Sequence, residues 1–343
     1  MSCSSLMGLL RAAIIGMGPM GFRHLEAYSQ LENVKVVAVA DLQESVKALL
    51  PKTITFYTNY SDLFKQENID IVSVVTTGPH HAPIVISAAK QGVKMILCEK
   101  PMATSILEAQ EMIEICKKNA VSLAINHVFR EYETYKRLKC LLAEGIIGEI
   151  RHIHCVDGGG RLGCSGTHFF DTMRMFTGSD FAWVIGFIDK NYCGDHKGRK
   201  VYDPGGYGMM AFNNGIRATL ELSDDIGTPE IIIISGSVGR IIIDKNRNTY
   251  QIFTRSKEDK QKRLGEYDLP LYEIPFDPGS EFDVIDATKK TISKLCDGQR
   301  PACQGKDGLA AIEVALAFHI SQRDDNRKVM LPLKEKDYNV QIT

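Results

Sequence analysis

The 343-residue chain has no C-x-x-C pair among its nine cysteines, no excess of either charge, and no apolar run of membrane-spanning length. Each absence excludes something. Lysine plus arginine number 41 against 42 for aspartate plus glutamate, so no net field favours nucleic acid or an anionic membrane surface, and a small-molecule partner is expected. No stretch reaches the roughly eighteen apolar residues of a membrane helix. The cysteines, Cys3, Cys98, Cys116, Cys140, Cys155, Cys164, Cys193, Cys296 and Cys303, lack zinc or redox spacing, and several lie in apolar runs where a free thiol behaves as a small hydrophobe. Residues 6–15 are apolar but have no basic flank and no small-residue cleavage site, and they run straight into a glycine loop. They read as a first strand and not as a signal peptide. A reducing, cytoplasmic setting is expected, in which the Asn59-Tyr60-Ser61 sequon never meets a glycosylation machinery. Internal repeats and low-complexity linkers are also absent.

The length predicts two compact domains. Up to residue 126, short apolar strands (11–15, 35–40, 54–57, 71–75, 95–98 and 122–125) alternate with helical spacing at 19–31, 81–91 and 105–119. Repeated βα units of this kind imply a doubly wound parallel sheet. The rhythm then changes. Helices are expected at 131–144 and 167–176, followed by β-rich text from 181 to 274, with alternation at 216–222, 231–235, 240–244 and 249–254. Helical spacing returns at 281–296 and 307–323, and 329–333 reads as a last strand. The expected architecture is α/β, with a Rossmann domain over 1–127 and a second α/β domain over 128–343 built on a large, open, mostly antiparallel sheet. Helices would cover one face of that sheet and leave the other to solvent or to another subunit.

Gly16-Met17-Gly18-Pro19-Met20-Gly21 follows a strand and opens a helix, the context that a G-x-G-x-x-G fingerprint needs. Gly16 permits the tight turn, Gly18 lets the backbone approach a pyrophosphate, and Gly21 lets the helix pack on the strand. Asp41 ends the second strand twenty residues beyond Gly21, where a carboxylate binds both ribose hydroxyls and repels a 2′-phosphate. NAD is favoured over NADP, because residues 42–45 supply no arginine. The competing reading of Asp41 is a helix N-cap. Glu99-Lys100-Pro101 ends a buried-looking strand, and ligands of open α/β sheets bind outside the carboxyl ends of the strands. Lys100 is thereby the first catalytic candidate.

With these motifs in order, the chain resembles the Gfo/Idh/MocA family, named for glucose-fructose oxidoreductase, inositol dehydrogenase and a rhizopine-catabolism protein. The family's Glu-Lys-Pro motif is matched by Glu99, Lys100 and Pro101, followed by Met102-Ala103. Its threonine-rich loop appears as Thr76-Thr77-Gly78-Pro79-His80-His81, with two positions changed. The second-domain signature Gly-Gly-x-Leu-x-Asp-x-Gly-x-His-x-x-Asp reads as Gly159 to Asp171, with His168 retained and Cys164 where the family has aspartate. The resemblance implies NAD-dependent oxidation of a hydroxyl on a sugar, cyclitol or related polyol. It implies His168 as general base and Lys100 as the group that polarises the substrate oxygen. Gly16 to Gly21, Asp41, Thr76, Thr77, His81, Glu99 and Lys100 are the expected cofactor residues. Asn126, Arg130, Asp157 and Cys164 join Lys100 and His168 as expected substrate contacts. A homodimer or homotetramer is expected.

The chemistry fits those residue types. A hydroxyl that loses hydride must also lose a proton, and histidine suits a base near neutrality. Lysine can steady the developing alkoxide. A thiol at position 164 is a poor substitute for a carboxylate that orients the base, and with nothing basic adjacent it is not read as a nucleophile. Asp171, one turn past His168, is either a replacement orienter or a structural residue. Arg130 either forks to an anionic substrate group or forms an ion pair. His152 and His154 share one strand face while Cys155 and Asp157 share the other, so no metal site is read. Two alternatives remain beside a dehydrogenase: an imine or enone reductase on the same scaffold, and a nucleotide-binding homologue without turnover.

Overall fold

The structure is a computed structural model, and it describes residues 8–189, 202–263, 265 and 269–342. Cys3 and Cys193 lie outside the described residues. The chain divides into two units, one of residues 1–131 with 283–309, the other of 132–282 with 310–343.

The first unit is a six-stranded parallel sheet. Its strands are β1 (Leu10–Ile15), β2 (Val34–Ala40), β3 (Thr55–Tyr57), β4 (Ile71–Val74), β5 (Met95–Cys98) and β6 (Ser122–Ile125), in the order β3-β2-β1-β4-β5-β6. Order reverses between β1 and β4, the topological switch point where nucleotides bind in such sheets. The strands are continuous apolar text because both faces are covered; β4 is buried at every position. Helices α1 (Pro19–Ser29), α2 (Tyr60–Gln66), α3 (His81–Lys90) and α4 (Ile106–Lys118) provide part of the cover. Asn59 caps α2 and Ser105 caps α4, each through a side-chain oxygen that accepts a backbone N–H.

Helices α5 (Glu133–Ala143) and α6 (Thr167–Thr177) belong to the second unit, whereas α7 (Val284–Cys296) returns to the first. That return differs from the boundary read in the sequence, which gives everything beyond 127 to one domain. The physical reason is the amphipathic face of α7: Thr288, Thr291, Ile292 and Leu295 recur at helical spacing and are buried. Ile292, Leu295 and Cys296 complete a core with Tyr28, Val34, Val36 and Leu97. Asp283 fixes the start of α7 by accepting the Ile285 and Asp286 N–H groups.

The second unit is a nine-stranded sheet. Its strands are β7 (Ile150–Gly158), β8 (Phe181–Ile188), β9 (Gly206–Phe212), β10 (Arg217–Ser223), β11 (Ile231–Gly236), β12 (Gly239–Asp244), β13 (Thr249–Thr254), β14 (Tyr272–Ile274) and β15 (Val329–Met330). They run in the order β14-β13-β12-β11-β7-β10-β9-β8-β15, and only the β7 and β10 pair is parallel. The final helix, α8 (Gly305–Arg323), crosses the unit boundary after Leu309. Alternation sorts the two faces. Ile153, Cys155, Leu220, Ile232, Ile234, Ile241, Ile243 and Ile252 are buried on one. On the other, register sets Ile185, Met209, Thr219, His154, Ile233 and Ile242 in one row across six strands. Met209 is 57% exposed in that row and Tyr207, beside it, 47%.

Candidate active site

The glycine loop of the first unit separates into three different positions. Gly16 has φ +95°, and a Cβ there would stand 2.7 Å from the Val75 carbonyl oxygen. At Gly21 a Cβ would meet the Gly16 carbonyl oxygen at 2.2 Å, so only glycine lets α1 begin this close to β1. Gly18 is the reverse case: nothing lies within 4 Å of its added Cβ, and the residue is exposed. Pro19 opens α1 without a side-chain cap and without an acid in the first turn. Uncapped N–H groups beside open space fit an anionic pyrophosphate.

Asp41 lies beside that loop. One carboxylate oxygen accepts the Met17 N–H at 2.6 Å and the other accepts the Gln43 N–H at 2.8 Å. The N-cap of the following 3-10 turn is Gln43, so Asp41 clamps the glycine loop and is not that turn's cap. A carboxylate has about four lone-pair sites, and the two N–H groups leave room for ribose hydroxyls. The residues present therefore fit a dinucleotide with an unsubstituted 2′ position.

Thr76, Thr77 and His81 form the loop after β4. The Thr76 hydroxyl is buried without a hydrogen-bond partner, and Thr77 is half-buried. His81, expected at the cofactor, is 1% exposed, and its two ring nitrogens face the Pro101 carbonyl at 2.8 Å and the Thr76 carbonyl at 3.0 Å. It ties this loop to the Glu99-Lys100-Pro101 turn. Burial lowers its pKa below the ordinary histidine range, against the pull of the two carbonyls.

Glu99, Asn126 and Arg130, expected at the cofactor or substrate, each have partners within the unit. Glu99 Oε1 accepts from Asn126 Nδ2 at 2.7 Å and meets His24 Nε2 at 3.0 Å. Burial pushes the Glu99 carboxyl up, but the His24 hydrogen bond and charge, then Lys100 and Asn126, outweigh it and bring the pKa down to about 2. Glu99 is ionised at neutral pH. The Arg130 guanidinium donates to the Ala302 carbonyl at 2.8 Å and pairs with Asp307 at 3.4 Å, fastening the turn after β6 to the start of α8 and the residues before it. Lys100 follows β5, half-buried, with its backbone N–H on Glu99 Oε2 at 3.3 Å. The sheet thus delivers Lys100 to the end where ligands bind.

In the second unit, Asp157 is the penultimate residue of β7, and the chain turns after Gly158 through Gly159 and Gly160; a Gly158 Cβ would stand 2.0 Å from the Ile226 carbonyl oxygen. Residues Leu162–Gly166 make one wide π-type turn, and α6 follows directly with His168, half-buried, as its second residue. Asp203 holds that turn by accepting the Gly163 N–H at 2.7 Å and the Cys164 N–H at 2.9 Å. Cys164 is exposed. Asp171 is buried one turn beyond His168 on α6, 3.9 Å from Arg174. Asp157 accepts from the Ser165 side chain; burial raises its pKa, opposed by Lys245 and by that hydrogen bond. Glu230 is raised for the same first reason, with Lys245 opposing at 2.6 Å. Sequence reasoning missed His24, Asp203 and Ser165. His24 lies within the first helix at no signature spacing, and Asp203 is forty residues from the turn it holds. No group of three or more metal-ligating side chains occurs among the described residues, and no helix there is long and apolar enough to cross a membrane.

Such a glycine loop beside the switch point of a parallel sheet, with a carboxylate after β2 and a lysine after β5, is the arrangement of a nucleotide-binding oxidoreductase. Residues 10–127 match the profile of an oxidoreductase family with an NAD-binding Rossmann fold. Over 342 residues the chain is 26% identical to the myo-inositol 2-dehydrogenase of Thermotoga maritima, covering 94% of this chain and 98% of that protein. The fold matches an oxidoreductase domain protein from Kribbella flavida with a TM-score of 0.80 at 21% identity, covering 95% and 100% of the two chains. It also matches a levoglucosan dehydrogenase solved with NADH and levoglucosan, with a TM-score of 0.80 at 18% identity and 94% and 99% coverage. Over residues 10–127 the chain thus carries the NAD-binding Rossmann domain of the Gfo/Idh/MocA oxidoreductases.

Proposed function

We propose that this protein is an NAD-dependent dehydrogenase that oxidises a ring hydroxyl of a cyclitol or sugar, and reduces the corresponding ketone in reverse. The observation that carries the reading is the open Gly18 approach beside the Asp41 carboxylate, in the same unit that presents Lys100 at the end of β5. The end-to-end relative, a myo-inositol 2-dehydrogenase, supports a cyclitol as the first substrate to try.

NAD, when bound, supplies the hydride acceptor. Gly16 to Gly21 hold its pyrophosphate and Asp41 its ribose. His168 takes the hydroxyl proton, and Lys100 donates a hydrogen bond to the oxygen as negative charge develops there. Asp157 and Cys164 flank the His168 turn as substrate contacts. A fluorescence titration with NADH and NADPH tests the cofactor half. NADH should bind at least about tenfold more tightly, since a 2′-phosphate meets the Asp41 charge; equal affinity would remove Asp41 from the ribose.

The open sheet face supports an oligomer. Phe187 and Tyr207 stack at 4.8 Å there beside exposed Met209, and a second copy of the chain is the proposed cover, in a homodimer or homotetramer. The seven described cysteines are free thiols, in keeping with a cytosolic protein.

A further inference from the structure

Six side chains of the first unit form a buried polar network that hydride transfer does not itself use. Exposure is 0% for His24, Ser73 and Thr288, 1% for Tyr28, 2% for Asn126 and 6% for Glu99. Ionised Glu99 only accepts, so the His24 nitrogen facing it at 3.0 Å, Nε2, carries a proton. His24 Nδ1 faces Ser73 Oγ at 3.1 Å, and Ser73 Oγ in turn lies 3.1 Å from the Tyr28 hydroxyl. The row therefore runs from Tyr28 through Ser73 and His24 to Glu99, and holds the His24 ring from both nitrogens. Asn126 Nδ2 reaches both Glu99 Oε1 at 2.7 Å and Thr288 Oγ1 of α7 at 3.2 Å.

Ser73, His24 and Glu99 stand in the order of a nucleophilic triad, but Ser73 has no exposure and no substrate reaches it. The row acts at its other end. Glu99 Oε2 accepts the Lys100 N–H at 3.3 Å, and the Glu99 and Lys100 charges attract each other. A carboxylate only 6% exposed has little contact with solvent that could replace a lost partner. Without His24 it must either rotate or take a proton, and both change the field and the backbone beneath Lys100.

We infer that His24 is a positioning residue for Lys100: it fixes the Glu99 carboxylate, and through it the Glu99-Lys100-Pro101 turn, without touching cofactor or substrate. This rests on the role given to Lys100 under the proposed function. A purely structural histidine would cost stability alone. A positioning histidine moves kcat and acts through Glu99.

The test compares His24→Leu, His24→Gln, Glu99→Gln and the His24→Leu/Glu99→Gln double variant. Leu cannot donate to Glu99, whereas the Gln amide can. His24→Leu should lower kcat by about tenfold or more, the scale of losing an outer partner of a reactive group, with the NADH Kd within about twofold. His24→Gln should recover most of the loss. In the Glu99→Gln background, removing His24 should add little. Unchanged kcat, a loss confined to NADH affinity, or additive losses would overturn the inference. If His24→Leu does not fold, His24→Gln against Glu99→Gln keeps the comparison. Acetylation of Lys100 relative to exposed Lys35, read by mass spectrometry, needs no turnover. The relative rate should change about threefold or more when His24 is lost, since its accessibility and charge environment both move, and no change would overturn the inference. Absence of turnover in the wild type would defeat the proposed function while leaving this readout to decide on His24.

Discussion

Lys100 and His168 divide the proposed chemistry between a donor and a base, and neither is needed to hold the glycine loop. His168→Asn should therefore lower kcat/KM by about 10²–10⁴-fold, the usual span for a general base, while NADH fluorescence titrations remain those of the wild type. A matching loss of NADH affinity would place His168 elsewhere. Cys164 is exposed, with its backbone N–H on Asp203. As a substrate contact to which no chemistry is assigned, Cys164 should affect KM before kcat: Cys164→Ser should keep kcat within about twofold, and a large loss of kcat would make the sulfur a participant. His319 gives a pH signature of its own. It is half-buried on α8, its Nε2 is enclosed without a hydrogen-bond partner, and desolvation drives its pKa from 6.5 to about 4. Between those values the unfolded chain binds a proton that the folded chain refuses. Stability present above pH 6.5 is thus lost as pH falls toward 4. Urea midpoints of His319→Leu should fall less steeply than those of the wild type over that window, and equal slopes would refute the assignment.

At the scale of elements, the glycine loop makes a paired prediction. Gly21→Ala forces a Cβ against the Gly16 carbonyl oxygen and should destabilise the protein by about 1–3 kcal/mol, as overpacking does. Gly18→Ala meets open space and should leave the thermal midpoint nearly unchanged while weakening NADH by about tenfold. The reverse pattern in thermal scans and titrations would contradict the division of labour among the glycines. These elements were legible because their signals are local: a strand, a glycine hexamer and a helix are contiguous, and so is Glu99-Lys100-Pro101. Glu99 itself was legible as a motif and not as a role. Its partners His24 and Asn126 are 75 and 27 residues away, and no periodicity connects them. Asp203 is hidden for the same reason, as a lone acid before Pro204 whose work is done at Gly163 and Cys164.

For the whole molecule, the α/β class and the two sheets were readable from strand rhythm, which switches from continuous apolar runs to alternation. The return of α7 to the first unit was not, because an amphipathic stripe announces burial without naming the surface it meets. The open face of the nine-stranded sheet has the same ambiguity, and mass measurement resolves it. Tyr207→Asp with Met209→Asp should convert a dimer or tetramer, seen by light scattering, into a smaller species. A monomeric wild type would dispose of the proposed cover. The most direct measurement is the initial rate of NADH formation at 340 nm by the purified protein with NAD and myo-inositol, followed by other cyclitols and aldoses. Turnover on a member of this class, abolished in Lys100→Met, is the predicted result. Tight NADH binding without oxidation of any polyol would contradict the account.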